Sequence, residues 1–131
     1  MAEWIVLKGR ILTGMGEGAR FVGMCEYQER FKERLGFQPF PGTLNVSIDS
    51  LDGIKRLRSL KGIMIEGFMK EGKDFGGVAC FPCTVNGVHG AVIVPERARH
   101  EPDIIEVISR HNLRERFGLG DGDSSEIKIK K

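Results

Sequence analysis

The sequence lacks the features that mark several protein classes. No apolar run approaches the ~20 residues that a membrane-spanning helix needs. The amino-terminal Met1-Ala2-Glu3-Trp4 has neither the charged nor the apolar region of a signal peptide. With 20 basic and 18 acidic residues, the net charge of +2 gives no electrostatic argument for binding to nucleic acid or to a membrane surface. We expect a cytoplasmic protein of one domain, residues 1–131, and a monomer.

Cysteine is also scarce, with three in the chain. Cys80-Phe81-Pro82-Cys83 has the C-x-x-C spacing of zinc half-sites and redox pairs. However, no second pair follows, and the motif lies in a predicted strand, where residues three apart face opposite sides. We therefore expect Cys80 and Cys83 to be buried free thiols.

Glycine, by contrast, is abundant, and the apolar runs are short, a combination typical of many short strands and tight turns. Asn86-Gly87 is the strongest hairpin signal. The pattern predicts a mainly β fold, a small six-stranded β-barrel with two or three short helices. The predicted strands are Ile5–Thr13, Thr43–Ile48, Ile63–Met69, Gly76–Val85, His89–Val94 and Glu126–Ile129.

Helices are predicted at a few places. Tyr27, Phe31 and Leu35 follow an i, i+4, i+8 spacing, and Gly36 is suited to end that helix. Asp103–Ile108 is predicted to be helical with Asp103 as its N-cap. Residues 113–117 would continue that helix or form a second one, and residues 49–53 are predicted to be a polar connection.

Gly14-Met15-Gly16-Glu17-Gly18 follows the first predicted strand. Three glycines in five residues let the backbone approach a pyrophosphate and present several N–H groups to it, and Arg20 adds a nearby cation. The same glycines also suit an ordinary hairpin. No Gly-Lys-Ser/Thr follows, so the segment is not a Walker loop.

Thr43 and Asn45 stand two residues apart where the Pro41-Gly42 turn enters a strand. Residues at i and i+2 of a strand face the same side, so both side-chain oxygens can reach one cation. Neutral oxygen ligands suit Mg²⁺, which retains waters and takes anionic ligands from a bound phosphate. The alternative is that both are ordinary turn residues.

Glu106 follows a cluster formed by Arg97, Arg99 and His100. A carboxylate near arginines is usually a solvated ion pair. Alternatively, it accepts the proton of a hydroxyl nucleophile in phosphoryl transfer.

Taken together, these segments resemble the archaeal-type CTP-dependent riboflavin kinases in the correct order over almost the whole chain. The matching segments are Gly14–Gly18, Tyr27–Phe31, Leu35–Phe37, Pro41–Val46, Phe75–Val78, Val94-Pro95 with His100, Asp103–Ile108, Leu113-Arg114 and Leu119–Asp123.

The resemblance implies a cradle-loop barrel that phosphorylates riboflavin to FMN with CTP as donor and Mg²⁺ as cofactor. It implies that Thr43 and Asn45 hold the metal and that Glu106 contacts the ribityl end of the flavin. The nucleotide would be bordered by Gly14, Met15, Gly16, Glu17, Gly18 and Ala19 and by His111, Asn112, Leu113 and Arg114.

One position departs from the family pattern. Ala98 stands where the family usually has a threonine, so it offers no hydroxyl to the flavin phosphate, and Arg97 or Arg99 would have to compensate. The alternative function is a non-catalytic barrel that binds flavin or nucleotide as a sensor or DNA-binding regulator. Ala98 is the residue that favours this alternative, whereas the near-neutral charge argues against DNA.

Overall fold

The computed structural model describes residues 4–13, 21–96 and 103–130. This part of the chain contains nine strands and three helices. The strands are β1 Trp4–Leu12, β2 Leu44–Ile48, β3 Ile63–Ile65, β4 Phe68–Lys70, β5 Lys73–Phe75, β6 Val78–Val85, β7 Val88–Pro95, β8 Ile104–Ile108 and β9 Ser124–Lys130. The helices are α1 Cys25–Leu35, α2 Leu51–Arg58 and α3 Leu113–Phe117.

Six antiparallel strands form a closed barrel in the order β6-β7-β8-β2-β1-β9, and β9 pairs with β6 to complete it. Closure leaves these strands without open edges. β3 pairs with β6 outside the ring, and β4 and β5 form a separate hairpin. The predicted mainly β fold, with a six-stranded barrel and a few short helices, is confirmed.

Two hydrophobic clusters lie on the two sides of the barrel wall. Along the barrel strands, buried and exposed residues alternate, and one set of buried side chains packs inside the barrel. This set includes Leu7, Val46 and Val107. The other cluster packs Tyr27 and Phe31 of α1 against the outer side of β6–β8. The Tyr27 hydroxyl donates a hydrogen bond to the Gly76 carbonyl at 2.6 Å, so α1 is anchored to the wall.

Two local predictions are confirmed in detail. α1 ends at Gly36, which has a φ of 82° and donates its N–H to the Lys32 carbonyl. Asn86 and Gly87 both have positive φ, and they connect β6 to β7. Glycine and asparagine tolerate this conformation better than other residues, which is why the dipeptide is so informative.

The helix predicted over Asp103–Ile108 is wrong. Residues 104–108 form β8, which pairs with β2 on one side and β7 on the other. Four of its five residues are isoleucine or valine, which favour strands. Asp103 is not an N-cap; its carboxylate accepts a hydrogen bond from the Ser47 hydroxyl at 3.2 Å.

α2 was not predicted from the sequence, which indicated a polar connection there. Ser50 caps the helix by accepting a hydrogen bond from the Gly53 N–H at 3.3 Å. Gly53 allows close packing, because a Cβ there would lie 2.4 Å from Leu7 Cδ2. Gly53 therefore serves the packing of α2 against β1.

The predicted strand Ile63–Met69 is divided into β3 and β4. The strand predicted over Gly76–Val85 is β6, which begins two residues later, at Val78. Gly67 lies at the break, where a Cβ would come 2.3 Å from the Phe75 carbonyl oxygen. This close backbone approach turns the chain into the β4–β5 hairpin.

The predicted burial of Cys80 and Cys83 is confirmed. Cys80 belongs to the cluster beneath α1 and Cys83 to the barrel interior, so the two thiols face opposite sides. Burial raises the pKa of both thiols to about 12. Within the described ranges, no helix is long and apolar enough to cross a membrane.

Candidate active site

Thr43, Asn45 and Glu106 come together on neighbouring strands. Leu44 and Val46 point into the barrel core, so Asn45 faces outward from β2. Asn45 is the direct ladder partner of Glu106 in β8. Thr43 Oγ1 donates a hydrogen bond to Glu106 Oε1 at 3.2 Å. The strand pairing therefore places two neutral oxygen groups beside one carboxylate.

Glu106 is 6% exposed, which is unusual for a carboxylate. Its ladder partner on the other side is Ile93 of β7, a member of the cluster beneath α1. A buried carboxylate needs hydrogen bonds to offset its desolvation, and Thr43 supplies one. A strand, and not the predicted helix, holds this carboxylate in place.

The donor chemistry of these residues fits Mg²⁺. When Thr43 donates its proton to Glu106, the lone pairs of its oxygen remain capable of binding a cation. Asn45 adds a carboxamide oxygen on the same face. Hard oxygen groups of this kind, with few anionic members, suit a cation that takes further ligands from water and phosphate.

The β1–β2 ladder connects this cluster to the glycine-rich segment. Leu12 pairs with Asn45, and Thr13 follows it as the last described residue before that segment. Gly14–Ala19 itself lies outside the described residues. The chain therefore enters the predicted phosphate-binding segment directly beside Asn45.

Arg114 of α3 lies at the same place. Its Nη2 donates to Asp121 Oδ1 and, at 3.3 Å, to Thr13 Oγ1. Thr13 Oγ1 in turn donates to the Asp121 carboxylate at 2.9 Å. The hydrogen bonds that Asp121 accepts hold its pKa below the usual range. The bond from Arg114 has the largest effect, and the bond from Thr13 has the next largest.

The other predicted nucleotide residues of this region have distinct positions. Leu113 is buried in the barrel core, and the Asn112 side chain caps α3 by accepting from the Glu115 N–H at 3.2 Å. His111 is exposed, and its N–H donates to Ser109 Oγ. In this segment, therefore, Asn112 and Leu113 hold the helix in place, while the His111 side chain is exposed and the Arg114 side chain is partly exposed.

A family model described as "CTP-dep_RFKase: Domain of unknown function DUF120" matches residues 11–129. The chain belongs to the CTP-dependent riboflavin kinase family. The resemblance found in the sequence is confirmed.

Individual relatives agree with this assignment. The riboflavin kinase of Archaeoglobus fulgidus is 42% identical over 127 residues, which cover 95% of this chain and 54% of that protein. The riboflavin kinase of Pyrobaculum aerophilum is 44% identical over 127 residues, which cover 95% of this chain and 60% of that protein. The riboflavin kinase of Ignicoccus hospitalis is 41% identical over residues that cover 95% of this chain and 71% of that protein. The chain thus spans about half to three-fifths of the length of the first two kinases.

Sequence reasoning assigned no role to three residues whose hydrogen bonds join segments near the candidate site: Thr13, Asp121 and Ser109. Asp121 lies in the segment Leu119–Asp123 that resembles the family, but no role was predicted for it. Ser109 is buried, donates its hydroxyl to the His89 carbonyl at 2.8 Å, and accepts at its own carbonyl from the Phe40 N–H. No local sequence pattern marks these contacts, because their partners lie far away in the chain. The predicted flavin contact Ala98, with Arg97, Arg99 and His100, lies outside the described residues.

Proposed function

We propose that this protein is a riboflavin kinase that transfers the γ-phosphate of CTP to the 5′-hydroxyl of riboflavin, which yields FMN and CDP. The observation that carries the proposal is the position of Thr43, Asn45 and Glu106 beside the point where β1 enters the glycine-rich segment. Membership of the family supports the nature of the donor and the acceptor.

Thr43 and Asn45 would hold Mg²⁺, with the remaining ligands supplied by water and the phosphates of CTP. The ion would neutralise charge that develops on the transferred phosphoryl group. Support for this assignment comes from the shared outward face of the two residues and from the Thr43–Glu106 hydrogen bond, which fixes the orientation of the hydroxyl.

Glu106 would orient the ribityl hydroxyl and accept its proton as the new P–O bond forms. Its burial keeps the carboxylate in a single orientation, since both neighbouring strands hold its backbone. Phosphoryl transfer depends mainly on such positioning and on electrostatic stabilisation.

The backbone amides of Gly14–Ala19 would bind the phosphates of CTP, and residues 111–114 would border the nucleotide. Cytosine would be selected through hydrogen bonds to its edge, for which backbone groups of residues 111–114 are the candidates. Arg114 would meet the phosphates, and its hydrogen bond to Thr13, the residue before Gly14, supports this role.

The flavin would lie against Glu106 and Ala98. Since Ala98 has no hydroxyl, the affinity for the phosphate of FMN would depend on neighbouring groups such as Arg97 or Arg99. This residue is also the reason to consider a barrel that binds flavin or nucleotide without turnover.

The experiment is to incubate the purified protein with riboflavin, CTP and Mg²⁺ and to measure FMN by chromatography. We expect FMN and CDP in equal amounts and neither product when Mg²⁺ is removed with EDTA. Riboflavin or CTP binding without any FMN would contradict the kinase and favour the non-catalytic alternative.

A further inference from the structure

Thr13, Arg114 and Asp121 form a hydrogen-bonded cluster, here called the Asp121 cluster, that joins three separate parts of the chain. Thr13 follows β1, Arg114 belongs to α3, and Asp121 lies in the turn before β9. Each side chain contacts the other two. The cluster lies at the last described position before the glycine-rich segment.

We propose that Asp121 is a positioning residue for the nucleotide: it holds the Arg114 guanidinium and the Thr13 hydroxyl at the entrance of the glycine-rich segment, so that Arg114 meets the polyphosphate of a nucleoside triphosphate in one fixed orientation. This inference rests on the proposed function. Asp121 acts through Arg114 and does not contact the reacting atoms.

The turn that carries Asp121 is itself rigidly attached to β1. The Ile11 N–H donates to the Asp123 carbonyl at 2.9 Å, and the Gly122 N–H donates to the Ile11 carbonyl at 2.8 Å. Within the turn, the Gly120 N–H donates to Asp123 Oδ2 at 2.7 Å. The carboxylate of Asp121 therefore has a fixed place relative to the end of β1.

The turn is also attached to α3, because the Leu119 N–H donates to the Arg114 carbonyl at 2.8 Å. The backbone of Arg114 is thus fixed independently of its side chain. What Asp121 adds is the direction of a long and otherwise flexible side chain. The described hydrogen bonds engage Nη2, and a guanidinium carries five N–H donors, so Arg114 retains donors suited to a phosphate.

Fold stability is not the main effect of this cluster. The Asp121 and Arg114 side chains are 58% and 37% exposed, and ion pairs with such exposure contribute little to stability. An effect on nucleotide binding can therefore be separated from an effect on folding.

The experiment measures binding of CDP with Mg²⁺ by calorimetry and the KM values for CTP and riboflavin. In Asp121→Asn, we expect the Kd for CDP and the KM for CTP to rise by roughly tenfold, since the charged partner of Arg114 is lost. The KM for riboflavin and the melting temperature should stay at wild-type values. Glu126→Gln is the matched control, because Glu126 lies on β9 and forms an exposed ion pair with Lys128 away from the cluster.

A double-mutant cycle tests whether Asp121 acts through Arg114. Arg114→Met should weaken CDP binding, and adding Asp121→Asn to it should weaken binding no further. If Asp121→Asn lowers the melting temperature, Thr13→Val serves as the second variant, and it should raise the Kd for CDP in the same direction.

Wild-type CDP affinity in both Asp121→Asn and Thr13→Val would overturn the inference, as would independent losses in the double variant. Failure of the proposed function has a different signature, in which the wild-type protein itself neither binds CDP nor forms FMN.

Discussion

At the scale of single residues, Thr43 has one observed contact and one proposed role. Its hydroxyl donates to the buried Glu106, the ladder partner of Asn45, and its oxygen is a proposed ligand of Mg²⁺. A hydroxyl suits both because it is donor and acceptor at once. The proposed metal ligand and the proposed proton acceptor are therefore directly coupled.

The metal assignment predicts the effect of two substitutions. Thr43→Val keeps the shape but removes the oxygen, and Asn45→Leu removes the carboxamide, so either change should abolish FMN formation while the protein still folds. Thr43→Val should also lower the melting temperature modestly, because the buried Glu106 loses a hydrogen bond. Ser47→Ala is the matched control, because Ser47 lies on the outward side of the same strand and bonds Asp103 instead. The measurement is FMN formation during a Mg²⁺ titration after EDTA treatment. Normal turnover in a Thr43→Val/Asn45→Leu protein would make both residues ordinary turn and strand residues.

Glu106→Gln tests the proposed proton acceptor. Glutamine still accepts the Thr43 hydrogen bond, so the fold should persist, while turnover should fall by about 10²–10⁴-fold. A loose transition state demands less of a base, which favours the lower end of that range. The Kd for CTP should change little, because the nucleotide is held by other residues. Unchanged turnover together with unchanged riboflavin affinity would place the flavin elsewhere.

The thiols give a prediction that does not depend on the function. Because burial raises the pKa of Cys80 and Cys83 to about 12, roughly one in 10⁴ of these groups is a thiolate at pH 8. A thiol reagent at pH 8 should modify Cys25 in the native protein and all three cysteines after denaturation. Fast native modification of three thiols would contradict the burial.

The same two thiols predict a pH dependence of stability. Their pKa in the folded protein lies above the ordinary thiol value of 9.0, so the unfolded state loses protons first as the pH rises. Their contribution should be fully present below pH 9 and decline between about pH 9 and 12. In denaturant titrations, Cys80→Ala/Cys83→Ala should lose less free energy of unfolding than wild type over that interval, although it starts lower. If the free energy of unfolding falls equally in the variant and in wild type, the thiols ionise at the same pH in the folded and unfolded states.

At the scale of the elements, β8 shows where local patterns fail. Asp103 after a proline is a typical helix start, yet Ile104–Ile108 lies between two strands that both pair with it. Tertiary pairing and β-branched side chains outweigh the capping signal. α1 and the β6–β7 hairpin were predictable because their signals, a helical face with a glycine cap and an Asn-Gly turn, are entirely local.

The close pairing of β1 with β2 depends on Gly9. A Cβ there would lie 2.1 Å from the Ser47 carbonyl oxygen, a backbone atom that cannot move without disturbing the ladder. Gly9→Ala should therefore lower the free energy of unfolding by about 1–3 kcal/mol or more. Lys8→Ala, at the exposed neighbouring position, should change it by less than about 0.5 kcal/mol. Equal stability of the two variants in denaturant titrations would show that the strands can separate at Gly9 without cost.

At the scale of the whole molecule, the barrel could be predicted, but the arrangement of the site could not. Alternating burial and turn signals indicate the strands, yet they do not give the strand order or register. It is the register that sets Asn45 between Leu12 and Glu106. The Asp121 cluster joins residues 108 positions apart, a separation that no local pattern records.

The central proposal is that this protein transfers the γ-phosphate of CTP to the 5′-hydroxyl of riboflavin. The most direct test compares CTP, ATP and GTP at equal concentration as donors, with riboflavin and Mg²⁺ in excess, and measures the initial rate of FMN formation. We expect CTP to support a far higher rate than ATP or GTP. Equal rates with ATP, or no FMN with any nucleotide, would contradict the account.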